Sequence, residues 1–265
     1  MSVWHCDLCG SERAQPFSAH TVRCSDCSLV ATHPTPAAAE LQRRYGSGYY
    51  AGWDGGGARA LLWQRRLDIV RRFLPSGRIL DAGCGAGEFV RTARAAGYEA
   101  EGTEFSDAAR AAVRDFPVYP GLAEAPGPYR AVTLWHALEH TPSPTDILSQ
   151  AHSVLAPGGL LFVAVPNLES YWFNAAYRLA KGKRLELYTP KTKEPHLFHF
   201  SRQTLRRLLD KTGFPPLLEG CDVPDADWRY RLSDWPARAL FRLTGVNWTT
   251  TLFSVCVADD LSRMT

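Results

Sequence analysis

Asp81, Gly83, Gly85 and Gly87 alternate through ILDAGCGAGEF, residues 79–89, directly after a short apolar run. A carboxylate followed by glycines at every second position suits a turn whose backbone approaches a ligand closely. The helix that follows offers free N–H groups to an anion. A dinucleotide loop requires G-x-G-x-x-G, and the third glycine position counted from Gly83 falls on Glu88. Glu104 ends the strand-like run YEAEGTE, seventeen residues past Gly87. A carboxylate there can accept hydrogen bonds from both hydroxyls of a ribose. A second constellation is Cys6-x-x-Cys9 with Cys24-x-x-Cys27, whose four thiolates can close tetrahedrally on one Zn²⁺; a filled shell makes that ion structural. His5 and His20 are surplus to this set. A third is His136-x-x-Glu139-His140, just past the apolar run AVTLW, with His196 and His199 further on. Imidazoles are natural bases near neutral pH.

The acidic residue followed by G-x-G-x-G resembles motif I of the class I S-adenosylmethionine (SAM) dependent methyltransferases. The resemblance implies that Asp81 holds the amino group of SAM, that Gly83, Cys84, Gly85 and Gly87 line the cofactor, that Glu104 takes its ribose and that Trp135 borders it. The segments LAPGG (155–159), WHALEHTPSP (135–144), Pro166-Asn167 and EPHLFHFSRQTLRRLLDKTGF (194–214) resemble the branch common in bacterial small-molecule and surface-polysaccharide pathways. The likeness covers residues 76–222 and is specific to the branch rather than to a substrate. Arg130 departs from it, at a peripheral position where the family generally has Asp.

Methyl transfer from a sulfonium is an in-line displacement, so such an enzyme supplies alignment, desolvation and, for a hydroxyl, a base. His140 is the first candidate because it stands in the LEH shared by the branch; His136 is the second, with Glu139 between them. Alternatively His136, Glu139 and His140, with His196 and His199 arriving from the loop before the next helix, hold a divalent metal, or the histidines only brace the loop. Some O-methyltransferases acting on ribose or catechol hydroxyls use a related E-x-x-E-H plus a distant His. His136 in place of the first Glu disfavours a hard ion here.

The elements that must position these residues follow from periodicity. A helix from Glu88 to Gly97, a strand to Glu104, short structure through Val118, Tyr119 and Leu122, the strand 131–135, a helix 146–155 and the strand LLFVAVP specify an α/β, Rossmann-like doubly wound sheet. The sheet is mostly parallel, with TTTLFSVCVADD as the antiparallel last strand, in a hairpin at the edge. In this architecture ligands lie outside the carboxyl ends of the strands. The expected domains are a zinc ribbon over 1–35, a helical and Gly/Tyr-rich connector over 36–75, and a methyltransferase domain over 76–265 with a substrate insertion at 168–200. Tyr45, Tyr49 and Tyr50 among glycines suggest an aromatic segment that closes over substrate or packs as a linker.

With 265 residues and 45% apolar content the chain can bury one large core and a small module. It lacks an apolar run of ~20 residues and a signal-peptide core, so the expected location is cytoplasmic. Residues 1–35 carry a net charge of minus one, which disfavours a nucleic-acid ribbon. From Arg178 to Lys211 ten basic residues face three acidic ones. That local field favours an anionic acceptor: a nucleotide-linked sugar, a lipid-linked glycan or RNA. Tyr171, Trp172, Ala175 and Leu179 form a helical stripe suited to a membrane surface or to a lid on its own domain. The expected activity is methylation of a hydroxyl on a sugar or other small biosynthetic intermediate. RNA methylation and a non-catalytic SAM-binding scaffold are the alternatives, and no feature sets the oligomeric state.

Overall fold

A computed structural model describes residues 4–45, 56–192, 194–222 and 228–259. Tyr49 and Tyr50, with Gly46, Gly48, Gly52 and Gly55, lie outside the described residues.

The chain opens with three short antiparallel strands, β1 (Ala14–Ser18), β2 (Thr21–Cys24) and β3 (Val30–Thr32). Each C-x-x-C pair sits on a tight turn closed by a backbone bond, Gly10 N to Cys6 O at 2.8 Å and Ser28 N to Cys24 O at 3.1 Å. Gly10 and Ser28, immediately after each second cysteine, have positive φ, which folds both pairs back toward one point.

After α1 (Ala38–Arg44) and α2 (Gly56–Phe73) come the alternating elements: β4 (Arg78–Ala82), α3 (Glu88–Ala95), β5 (Glu99–Thr103), α4 (Asp107–Ala112) and β6 (Val118–Tyr119). They continue as β7 (Tyr129–Trp135), α5 (Pro144–Val154), β8 (Leu155–Pro166), α6 (Tyr171–Lys181), β9 (Phe198–His199) and α7 (Arg202–Lys211). The last are β10 (Pro216–Gly220), α8 (Trp228–Thr244) and β11 (Thr251–Val257). The main sheet has the order β10-β11-β8-β7-β4-β5-β6, with the β10–β11 and β11–β8 pairings antiparallel and the others parallel. Central strands of a parallel sheet are covered on both faces, so they read as unbroken apolar runs; Leu161 to Val165 of β8 are all fully buried.

The final strand lies, as expected, in an antiparallel pair at the sheet edge, β11 against β8 and β10 outermost. Two expectations change. α5 starts at Pro144 instead of Asp146, since the Ser143 side chain accepts from Asp146 N and caps it. The stretch 36–75 is not uniformly a connector: α2 buries Leu67 and Val70 in the same core as Phe89 and Val90 of α3.

The ribbon is built into the larger domain. β3 pairs with β9, and Thr32 extends the contact by donating from N to Leu197 O (2.8 Å) and from Oγ1 to His196 O (2.7 Å). Asp7 accepts from Ser143 Oγ, Thr145 N and Thr145 Oγ1 at 2.6 to 2.9 Å, placing a carboxylate at the α5 N-terminus. Lys211 Nζ and Arg207 Nη1 of α7 donate to Leu8 O and Cys27 O. The stripe on α6 faces outward: none of its residues is buried, and Leu179 is 88% exposed.

Asp7→Ala removes the carboxylate that serves both the ribbon and α5. It is expected to lower unfolding free energy by about 1–2 kcal/mol, read by urea denaturation, with Asp7→Asn intermediate. An unchanged midpoint would contradict the docking role.

Candidate active site

β4 delivers Asp81 to its carboxyl end, where the chain turns through Gly83, Gly85 and Gly87, all at positive φ. A Cβ at Gly87 would lie 2.2 Å from Phe116 Cζ and one at Gly83 2.8 Å from Ala137 Cβ, so neither position tolerates a side chain. Asp81 is buried and accepts from Thr133 Oγ1 of β7 at 2.6 Å. Burial pushes its carboxyl up to about 7, against the Thr133 hydrogen bond and the Arg66 charge, which favour the ionised form.

Glu104 follows β5 and bridges the glycine turn to the next one. Its Oε2 accepts from Gly85 N (3.0 Å) and its Oε1 from Ser106 N (2.8 Å). Each oxygen keeps a lone pair for a further donor. Cys84 tucks its thiol under the turn, against the space left by Gly102. The Trp135 ring is a core residue, stacked on Phe253 at 5.9 Å and edge-on to Phe89 at 5.5 Å.

At the tip of β7 the chain bends sharply. His136 has φ +54°, a rare left-handed conformation for a non-glycine residue. Its ring lies between two buried carboxylates, Nδ1 3.5 Å from Glu139 Oε1 and Nε2 3.5 Å from Asp222 Oδ2. Burial alone would lower the pKa of this imidazole; Asp222 and Glu139 outweigh it and raise it to about 9. Asp222 is in turn bound by the guanidinium of Arg66 through Nε (3.1 Å) and Nη2. Arg66 is sandwiched between the rings of Trp63 and Trp135, at 4.8 and 4.9 Å. Charges thus alternate along Arg66, Asp222, His136 and Glu139, all but His136 almost fully buried. With a carboxylate at each ring nitrogen, the protonated form of His136 is the favoured one.

Glu139 and His140 sit on a single 3₁₀ turn, Leu138–His140. His140 Nδ1 lies 2.9 Å from Pro195 O and 3.0 Å from Tyr45 Oη. A carbonyl only accepts, so Nδ1 carries the proton and Nε2 is the free nitrogen. Nε2 points at two carboxylates, Glu194 at 3.7 Å and Glu139 at 3.9 Å. The His196 ring is edge-on to His140 at 4.8 Å. His199, on β9, stands behind at 6.2 Å from His196, with its pKa pushed down to about 3 by burial. The ligand atoms of Glu139, His140 and His196 lie within 4.8 Å of one another. The sequence set of His136, Glu139, His140, His196 and His199 is thereby narrowed to Glu139, His140 and His196, with His136 turned toward Asp222 and His199 behind.

The four cysteine sulfurs also lie within 4.8 Å of one another, with Cys6–Cys27 at 3.4 Å and Cys9–Cys24 at 3.6 Å. A tetrahedral Zn–thiolate shell with bonds of about 2.3 Å places its sulfurs about 3.8 Å apart, so the four fit one ion. Sequence reasoning missed Arg66, Asp222 and Trp63, which meet only through the packing of α2 on the sheet. Nothing local marks them.

A family model described as a methyltransferase domain matches residues 58–218. The chain belongs to the methyltransferase family. Among related proteins, a ubiquinone biosynthesis O-methyltransferase of Xanthomonas campestris pv. campestris is 34% identical over 140 residues, covering 43% of this chain and 56% of that one. Its counterpart in Burkholderia multivorans is 32% identical over 111 residues, 36% and 48% of the two chains. The chain thus spans about half the length of the curated relatives it matches. Two solved structures share the fold. The Burkholderia thailandensis 1,6-didemethyltoxoflavin-N1-methyltransferase, with 1,6-didemethyltoxoflavin and S-adenosylhomocysteine bound, has a TM-score of 0.58 at 16% identity, over 94% of this chain and all of the other. The Synechocystis PCC 6803 magnesium protoporphyrin IX methyltransferase, with S-adenosylhomocysteine bound, has a TM-score of 0.56 at 15% identity, over 84% and 100%.

Removing one member of a buried ion pair strands the other. Arg66→Leu is expected to cost about 3–5 kcal/mol in chemical denaturation, and adding Asp222→Asn should restore much of it. A double variant no better than the single one would contradict the pairing.

Proposed function

We propose that this protein transfers the methyl group of SAM to a hydroxyl of a small acceptor, a sugar or another biosynthetic intermediate. The observation that carries the reading is the span of Tyr45. Its carbonyl accepts from Ser106 Oγ at 2.6 Å, beside Glu104, while its phenol reaches His140 at 3.0 Å. One residue thus ties the ribose-binding side of the cleft to the histidine cluster, and the two belong to one site.

Asp81 takes the ammonium of SAM and Glu104 the ribose hydroxyls, with the Gly83–Gly87 turn, Cys84 included, against the cofactor; Trp135 supports this wall from the core. Two methyltransferases of the same fold hold S-adenosylhomocysteine. The hydroxyl attacks the sulfonium methyl in line, the C–S pair leaves on a neutral thioether, and the hydroxyl proton is lost at the cluster of Glu139, His140 and His196. His140 Nε2 is the atom that can take that proton or hold a cation that displaces it. Oxygen is favoured over nitrogen because the relatives above 30% identity are named O-methyltransferases.

The anionic preference rests on fewer charges than composition suggests. Arg202 and Arg206 pair with Glu219, and Arg207 and Lys211 hold the ribbon. The positive field that remains comes from Arg178, Lys181, Lys183, Arg184 and Lys191, at and beyond the end of α6. Beside it, the outward stripe of Tyr171, Trp172 and Leu179 suits an acceptor presented at an apolar or membrane surface. The Cys6, Cys9, Cys24 and Cys27 cluster takes a structural Zn²⁺. An RNA substrate is disfavoured by the ribbon's acidic balance and by its docking through Asp7 to its own domain.

Asp81 must be ionised to hold an ammonium, and burial has raised its pKa to about 7. SAM affinity should therefore fall about tenfold per unit below pH ~7, by calorimetry, with Asp81→Asn weak and flat across that acidic range. A wild-type affinity that does not change from pH 8 to 5 would contradict the assignment. His140→Ala should lower kcat by about 10²–10⁴-fold while leaving the Kd for SAM unchanged; equal losses in both would make His140 a structural residue.

A further inference from the structure

Among the described residues, the side-chain atoms buried without any hydrogen-bond partner are Trp135 Nε1, both carboxylate oxygens of Glu139 and Nε2 of His199. Three of these four atoms belong to the histidine cluster. A carboxylate 1% exposed with neither oxygen hydrogen-bonded is costly unless something positive sits beside it. His136 approaches Oε1 at 3.5 Å, too far for a good hydrogen bond, and His140 Nε2 faces the same oxygen from 3.9 Å with His196 beside it. With Nδ1–H of His140 committed to Pro195 O, a lone pair faces two carboxylates, an arrangement that calls for a cation between them.

The surroundings have the form that metal ligands require. A ligating imidazole donates its other N–H to a carbonyl or carboxylate, and His140 does so to Pro195 O; Glu139 offers both oxygens without a hydrogen bond on either. We propose that Glu139, His140 and His196 form a binding site for one divalent transition-metal ion, separate from the four-cysteine ribbon. One carboxylate and two imidazoles are a donor set for Zn²⁺, Fe²⁺, Mn²⁺ or Co²⁺ rather than for Mg²⁺ or Ca²⁺. Bonds of about 2.1 Å put tetrahedral ligand atoms about 3.4 Å apart; these three, within 4.8 Å, close on an ion by small side-chain rotations. Three protein ligands leave a position open, as catalytic sites do.

Resting on the methyl-transfer reading, the role of the ion follows. An ion held by Glu139, His140 and His196 would lower the pKa of an acceptor hydroxyl in its open position, so that the proton passes to water and the oxygen is readied to attack the sulfonium methyl. The C–S electron pair leaves with sulfur, and no oxidant or reductant is involved.

The test uses the full chain stripped of metal and reloaded with Co²⁺, followed by dialysis, metal analysis and visible spectroscopy. Wild type is expected to hold two Co²⁺, one with the intense thiolate charge-transfer absorption of the ribbon and one without it. Glu139→Gln, His196→Ala and the milder His196→Gln should each lose only the second ion, with SAM binding retained as the check on folding. Cys24→Ser should lose only the first. A wild type holding a thiolate-bound ion alone, or folded Glu139 and His196 variants that keep both ions, overturns the proposal. A protein that holds both ions yet transfers no methyl would instead contradict the function proposed above and leave this site standing.

Discussion

Glu139 is a carboxylate buried at the end of a central strand, on a turn too short to hydrogen-bond it, and much of the site exists to answer that charge. Burial by itself would push its pKa up, but His136, His140 and His196 reverse the sign and bring it down to about 2. His136 reaches it only by adopting a left-handed backbone, and holds its own charge only because Asp222 stands at its other nitrogen. Asp222 remains ionised because Arg66 is locked between two tryptophan rings. Each link would be expensive alone and is stable in sequence. A helix that precedes the glycine turn (α2), the turn after β7 and the segment after β10 are thereby fixed to one another.

The ribbon serves the opposite wall of the same cluster. Its third strand is the partner of β9, and the residues leading into β9 are His196 and Leu197, which hydrogen-bond to Thr32. Leu197 N also donates to Glu139 O at 2.7 Å. The backbone that carries two of the histidines is therefore held between the ribbon and the 3₁₀ turn. A module of this size cannot fold on its apolar core alone, so the four cysteines stabilise the active-site wall as well as the ribbon. Within the molecule the module's contacts are with its own domain, through β3, Asp7 and the carbonyls of Leu8 and Cys27.

Much of this was legible in the chain. The glycine turn, Asp81, Glu104 and the alternating elements are encoded locally, by residues within a few positions of each other, and the C-x-x-C pairs announce a tetrahedral cluster by spacing. What the sequence obscured is what folding brings from afar. Asp222 lies 156 residues from Arg66 and is an ordinary acidic residue in a loop until the guanidinium arrives. The pattern H-x-x-E-H with His196 and His199 suggested one ligand set, yet the left-handed turn at His136 sends that ring to Asp222, so that Glu139 and His140 meet His196 without it. The basic run from Arg178 to Lys211 looked like one field, whereas its second half is consumed in α7 by Glu219, Asp210 and the ribbon carbonyls. Trp135 is adjacent in sequence to the site and faces the core, because a strand alternates its sides.

The measurement that tests the account most directly is incubation of the purified protein with methyl-labelled SAM and an extract of its own host, followed by separation of the products by chemical class. The account predicts label in small molecules or glycolipids, in a bond stable to base as an ether is, and none of it when Glu139 and His140 are both replaced. Label in RNA, or SAM bound and never consumed, would contradict it.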